Sequence, residues 1–277
     1  MDWRRAKTIL ILIFLVLDLF LGYQWWEYRS VALEEALLSR DQDYLQAAIK
    51  IHQITMETPI PTEKPKLSYL NVTYDTAELM YPHEGRQMIK KNDYTLIGFL
   101  SPHVPIASSM NVADLPELLA ETIPNFTHYK FYQGDLASGE IRYVQQFEGY
   151  PIFGANVTLF LEDNMIQKFQ QTYLKIGEKG NARDLLSASA SLQNLLDQQI
   201  INDGSTILKI ELGYLGQPFT QEIKEQVFVP VWKIILMDQT IYVNAVTGLL
   251  ENRPALDQFD MRLSEEVGMK RLEGEDS

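Results

Sequence analysis

Val227-Phe228-Val229-Pro230-Val231-Trp232-Lys233-Ile234-Ile235-Leu236-Met237 is apolar on both alternating faces except at Lys233. A strand with one wet face alternates, so this stretch predicts a central strand covered on both sides, with Trp232 in the core. Its neighbours are expected at Ile207–Leu215 and Thr240–Val246. In the former, Leu208, Ile210, Leu212 and Tyr214 share one face and Lys209 and Glu211 the other. A helix is expected just before them, from about Ala182 to Ile201, carrying Leu185, Leu192, Leu195, Leu196 and Gln199.

The preceding hundred or so residues repeat that order. Asp114 to Ile123 reads as a short helix, followed by strands at Thr127–Gln133, Glu140–Glu148, Ala155–Glu162 and Met165–Lys175. Gly134 and Gly139 bracket one loop, and Gly149, Pro151 and Gly154 another. Asp163-Asn164 suits a two-residue hairpin turn because both residues tolerate positive φ. Lys66–Tyr74 and Tyr94–Leu100 read as earlier strands. The fold class is therefore α+β, with two related units of helix on antiparallel sheet at 66–176 and 177–256.

Upstream lies a different kind of segment. Thr8 to Trp26 is almost wholly apolar and ends in Tyr23, Trp25 and Trp26. As a helix it covers roughly 28 Å, close to the ~30 Å hydrocarbon core of a bilayer. Arg4, Arg5 and Lys7 precede it and Glu27 is the first charge beyond it, so residues 1–7 are expected in the cytoplasm and the rest outside. The exit offers no small-residue cleavage site, which favours an uncleaved single-pass signal anchor at 8–26. Between anchor and first unit, 27–65 reads as a juxtamembrane helix, from Val31 to about Ile54, and a linker containing Pro59, Pro61 and Pro65. Residues 257–277 read as a short helix to about Gly268 and an acidic tail.

Asp18 is the anomaly in the anchor. A carboxylate near a bilayer centre costs about 2.5–3.5 kcal/mol, so a compensating contact is expected. Ile11, Phe14, Leu21, Gly22 and Trp25 share its helical face, and Gly22 lets another helix approach closely. These six residues are the candidate partner-contact site within the lipid bilayer.

Charge and composition exclude several functions. Without residues 1–26, 21 basic and 35 acidic residues remain, a net charge of −14. Such a surface repels nucleic acid and anionic headgroups, so no nucleic acid is expected as a partner. The absence of cysteine removes thiol catalysis, cysteine-ligated metals and disulfides, and fits an exported bacterial domain. His52, His83, His103 and His128 fall on separate elements without ligand spacing. There is no nucleophile elbow and no phosphate-binding loop, and paired acids such as Glu162 and Asp163 fall at a hairpin tip. No enzyme, catalytic residue, cofactor or metal site is expected. The remaining features suit contact: Asp18 in the membrane, and sheet edges that accept a partner strand unless the protein covers them.

Met1-Asp2-Trp3, Lys7-Thr8-Ile9 and Phe14-Leu15-Val16-Leu17-Asp18-Leu19-Phe20-Leu21 resemble the start of the YycI (WalI) regulatory proteins of Gram-positive bacteria. Glu148-Gly149-Tyr150-Pro151-Ile152-Phe153-Gly154-Ala155, and Pro230-Val231-Trp232-Lys233 followed by Tyr242-Val243-Asn244-Ala245-Val246-Thr247-Gly248, resemble the strand-turn signatures of PepSY-like domains in that family's ectodomain. The resemblance implies an accessory protein of the cell membrane that works with a companion, YycH, on the WalK (YycG) sensor histidine kinase of a two-component system controlling cell-wall metabolism. It implies contact through membrane helices, in a homo- or hetero-dimer, and leaves the sign of the effect open, with restraint of the kinase favoured. The rival reading is a PepSY-like inhibitor or chaperone of an exported protease, or a cell-wall peptide binder. That reading needs no specific membrane helix. An envelope hydrolase is a weaker third class, since no nucleophile and base are signalled.

Overall fold

A computed structural model describes residues 14–15, 17–18, 20–21, 43–63, 65–74, 86–90, 95–107, 109–216 and 225–251. The chain divides into two compact units, Met1–Gln53 and Ile54–Ser277. In the first, Phe14, Leu15, Leu17, Asp18, Phe20 and Leu21 are helical and exposed, and 43–51 is a helix (α1) that buries Leu45, Ala48 and Ile49. A helix is expected here from the sequence; it ends at 51 rather than about Ile54, and Tyr44 is exposed. Among the described residues no helix is long and apolar enough to cross a membrane; most of Thr8–Trp26 lies outside them. So do 31–42 and the expected C-terminal helix.

The second unit is dominated by strands: β1 (Thr55–Met56), β2 (Lys66–Leu67), β3 (Leu70–Tyr74), β4 (Arg86–Lys90), β5 (Thr95–Pro105), β6 (Tyr129–Asp135), β7 (Glu140–Phe147), β8 (Tyr150–Glu162), β9 (Met165–Thr172), β10 (Leu174–Lys179), β11 (Arg183–Asp184), β12 (Thr206–Gly216), β13 (Glu225–Leu236), β14 (Thr240–Asn244) and β15 (Leu250–Glu251). Thirteen form one mixed sheet; β2 and β11 pair separately. The mixed α+β class expected from the sequence is what the described residues show.

One region of the sheet is an antiparallel meander, β6-β7-β8-β9-β5-β4. Its inner face is apolar and buries Leu100, Ile141, Tyr143, Val157, Leu159, Ile166 and Phe169 against Leu115, Leu119, Ile123 and Phe126. The covering chain is mostly irregular. A 3₁₀ turn at Val112–Asp114, capped by the Asn111 side chain, leads into α2 (Leu115–Leu118). The expected helix at Asp114–Ile123 is thus one turn: Pro116 suits its start, and turns then carry the chain to Pro124, which cannot continue a helix.

The other region runs β10-β3-β13-β12, with β14 and β15 beyond β13. The predicted central strand is found: β13 pairs with β12 on one side and with β3 and then β14 on the other. Trp232 is 2% exposed, and its indole N–H donates to Leu186 O at 2.8 Å. Here α3 (Ala188–Asp197) buries Ala188, Leu192, Leu195 and Leu196. It is shorter than the expected Ala182–Ile201. Ser187 caps its start by accepting from the Ala190 N–H, Arg183–Asp184 pairs with β2, and Gln199 has φ 56° just beyond its end.

Two strand boundaries move for a related reason. Gly149, Pro151 and Gly154 are expected to form a loop, but only Glu148 and Gly149, with φ 50° and 89°, connect the strands; β8 continues through Pro151 and is irregular at Gly154, where φ is 93° and the β7–β8 register shifts between Pro151 and Asn156. Pro151 sits at the strand's start, where a missing N–H is tolerated. The Asp163-Asn164 turn is as expected, with φ 52° and 59°. The ladder crosses the boundary drawn at 176/177, since β3 lies between β10 and β13. The two regions join where Ile152 and Phe153 of β8 run parallel to Tyr214 and Leu215 of β12. Close by, the buried Gln145 side chain donates to Leu174 O (2.7 Å) and accepts from Leu174 N–H (2.9 Å), as a strand neighbour does.

Candidate functional site

Of the six membrane-face residues singled out in the sequence, Phe14, Asp18 and Leu21 are described, helical and exposed; Ile11, Gly22 and Trp25 lie outside the described residues. Among the histidines, His128 Nδ1 lies 3.1 Å from the Tyr173 hydroxyl at an exposed position, and His83 is outside the described residues. No three His, Asp or Glu side chains group as a metal site among the described residues. Glu162 is at the expected hairpin tip, hydrogen-bonded by Gln167.

The most concentrated polar chemistry lies where the two regions of the sheet meet. Lys233, the one charge in the apolar β13 run, is 1% exposed. Its ammonium lies over three rings, 4.9 Å from the centroid of Phe153, 5.2 Å from Tyr132 and 5.6 Å from Tyr242, and donates to the Tyr132 hydroxyl at 3.1 Å. Tyr132 donates in turn to Glu211, which sits opposite Lys233 in the β12–β13 ladder. Glu211 also pairs with Lys209 at 2.7 Å, and the Lys209 ammonium lies 4.9 Å from the Tyr132 ring centroid. Aromatic faces and a shared hydroxyl offset part of the desolvation of the buried ammonium.

This arrangement depends on two backbone devices. Gly213 allows the Phe153 ring and the Pro151 carbonyl to press on β12, where an added Cβ would stand 2.6 Å and 2.5 Å from them. A bulge between Phe131 and Gln133 interrupts the β6–β7 register at Tyr132 and re-aims its side chain. On a flat sheet β6 and β13, four strand steps apart, would be separated by roughly 19 Å. The 3.1 Å contact means that the sheet curls over on itself here. Nearby, burial first, and then Glu148 and Tyr150, push the Tyr214 hydroxyl up to about 12. Tyr129 and Tyr143 are also raised, chiefly by burial.

The sequence flagged Lys233 as an exception but not its partners. Tyr132 and Glu211 are 101 and 22 positions away, and Tyr132 lies in a strand without a clear alternation. The cluster holds an ammonium, a phenol and a carboxylate already engaged with one another, so its chemistry is that of a structural tie. A shallow cavity on the open side of β3, β10 and β13 is lined by Asn71, Thr73, Glu178, Glu225 and Val227 among others, without a catalytic grouping.

Fold and cluster together define a sheet-dominated α+β protein whose polar centre ties strands together. The chain belongs to the YycI family: residues 34–246 match the family described as YycI protein. No curated protein matches it. Among solved structures the likenesses are distant, as three of them show. An uncharacterized protein from Eubacterium rectale ATCC 33656 has 8% identity and a TM-score of 0.47, covering 72% of this chain and 91% of that one. The Bacillus megaterium YpeB C-terminal domain has 13% identity and a TM-score of 0.34, covering 64% and 92%. YycH from Bacillus subtilis has 14% identity and a TM-score of 0.42, covering 69% and 54%. Membership of the YycI family points to a regulator of the WalK system and to a non-catalytic protein.

Proposed function

We propose that the chain is a membrane-anchored, extracytoplasmic accessory regulator of a WalK-type sensor histidine kinase, acting with a YycH-like protein through contacts between membrane helices. The family match over residues 34–246 carries this reading. The apolar run Thr8–Trp26, its basic flank and its single Asp18 support the anchor, the orientation and the contact face.

The test is co-purification of the full-length chain with its kinase and its YycH-like companion from membranes. Replacing Thr8–Trp26 with an unrelated spanning helix is expected to abolish recovery of both partners. Asp18→Leu is expected to insert at least as well and to weaken recovery without abolishing it, because interhelical hydrogen bonds in membranes average only about 0.6 kcal/mol. Full recovery and signalling with the foreign helix would overturn the membrane-contact reading and favour recognition by the exterior sheet.

A further inference from the structure

Strand β6 is held by few side-chain contacts. Among the described residues it is an edge, paired with β7. Of its seven residues only Tyr129, at its start, is buried; Lys130, Phe131, Gly134 and Asp135 are exposed. Local opening costs least where few apolar groups are buried, so residues 130–135, in which the exposed Phe131 ring meets Tyr143 edge-on at 6.0 Å between centroids, contribute little buried packing of their own to hold them down. The exception is Tyr132, half-buried at the bulge, whose hydroxyl joins Lys233 and Glu211 and whose ring lies beneath the ammonium groups of both Lys209 and Lys233.

We propose that Tyr132 is a clasp: it holds the edge strand β6 over the face of β12 and β13, and its release opens residues 130–135 as a unit while the rest of the sheet stays folded. The opened form uncovers the outer edge of β7 and gives solvent access to the Lys233–Glu211 pair. The clasp is polar and hydrogen-bonded rather than apolar, so it is directional: it is made only when β6 lies at this curl of the sheet. This inference rests on the geometry of the described strands and stands apart from the regulatory reading.

Hydrogen–deuterium exchange on the full-length chain in detergent micelles tests it. Tyr132→Phe keeps the ring and removes the hydroxyl, with its bonds to Lys233 and Glu211. Amides of residues 130–135 are then expected to exchange about tenfold faster, since each bond contributes on the order of a kcal/mol. Exchange in the β8–β9 and β12–β13 ladders is expected to stay as in the parent. Glu211→Gln, which retains an acceptor oxygen, is expected to give a smaller acceleration at the same amides. Unchanged exchange at 130–135 in Tyr132→Phe would overturn the clasp. So would acceleration spread evenly through every strand, because Tyr132 would then be a general stability residue.

Discussion

The meander β4–β9 and the sheet around β13 are built from strands of similar length, yet they are covered differently. The meander puts one face against a core of Leu, Ile, Phe and Tyr side chains under an irregular stretch with a one-turn helix. Its other face carries Gln87, Phe99, Lys168 and Ile89 of β4, β5 and β9 into solvent, with the Lys168 ammonium 4.9 Å from the Phe160 ring centroid, whereas β7 is buried on both faces from Ile141 to Gln145. The second region buries β13 from Phe228 to Leu236 except for the half-buried Val229, with α3 on the Trp232 side and Phe153, Leu215 and Tyr242 on the Lys233 side. One-face burial reads in sequence as alternation, and two-face burial as a continuous apolar run. The difference teaches that the centre of this protein is β13, while the meander is an apolar-backed sheet with an open side at β4, β5 and β9.

If β13 is the centre, its largest side chain should be the most costly to remove. Trp232→Ala is expected to destabilise the Ile54–Ser277 unit by about 3–5 kcal/mol, the range for emptying a large buried aromatic site. Part of that loss is the unmade bond to Leu186 O. Chemical denaturation followed by tyrosine fluorescence measures it. A loss below about 1 kcal/mol, the scale of a single hydrogen bond, would break the comparison, because β13 would then be no more central than the meander.

The join between the regions is tested by Gly213→Ala. A Cβ there meets the Phe153 ring and the Pro151 carbonyl, one of them backbone that cannot move without shifting β8. Overpacking of this kind costs about 1–3 kcal/mol. A neutral result would mean that β8 and β12 are free to separate at Ile152 and Phe153, and that the two regions are more independent than one sheet suggests. Ser187→Ala addresses the cover on the β13 side. It removes the side chain that accepts from Ala190 N–H and is expected to cost about 1 kcal/mol, seen as a lowered denaturation midpoint with unchanged slope.

How much of this was legible in sequence depended on how local the cause was. The central strand, the Asp163-Asn164 hairpin and the buried stripe of α3 follow from periodicity and from residues that tolerate positive φ, both written in adjacent positions. Pro151 and Gly154 misled, because residues that usually punctuate loops can sit at the start of a strand or, with positive φ, at an irregularity within one. The Lys233 cluster was legible only as an exception. A charge in a two-face apolar strand must find partners, but Tyr132 is aimed at it by a bulge and by the curl of a sheet thirteen strands wide, neither of which leaves a pattern. The candidate membrane face is the reverse case: Asp18 in an apolar run is a strong local signal, and the partners proposed for it belong to another chain.

The smallest expected effect sharpens the contrast most. Ile89 is 47% exposed on β4, across the ladder from Ile97 and on the open side of the meander. If that side is solvated rather than core, Ile89→Thr keeps the β-branched shape that suits a strand and gives up little burial, so stability should change by no more than about 0.5 kcal/mol. The same substitution at Ile234, which is fully buried on β13, adds a hydroxyl where no water reaches and is expected to cost several times more. Equal losses at the two positions would mean that the open side of the meander is covered in the intact protein, and that the one-face reading of its strands is wrong.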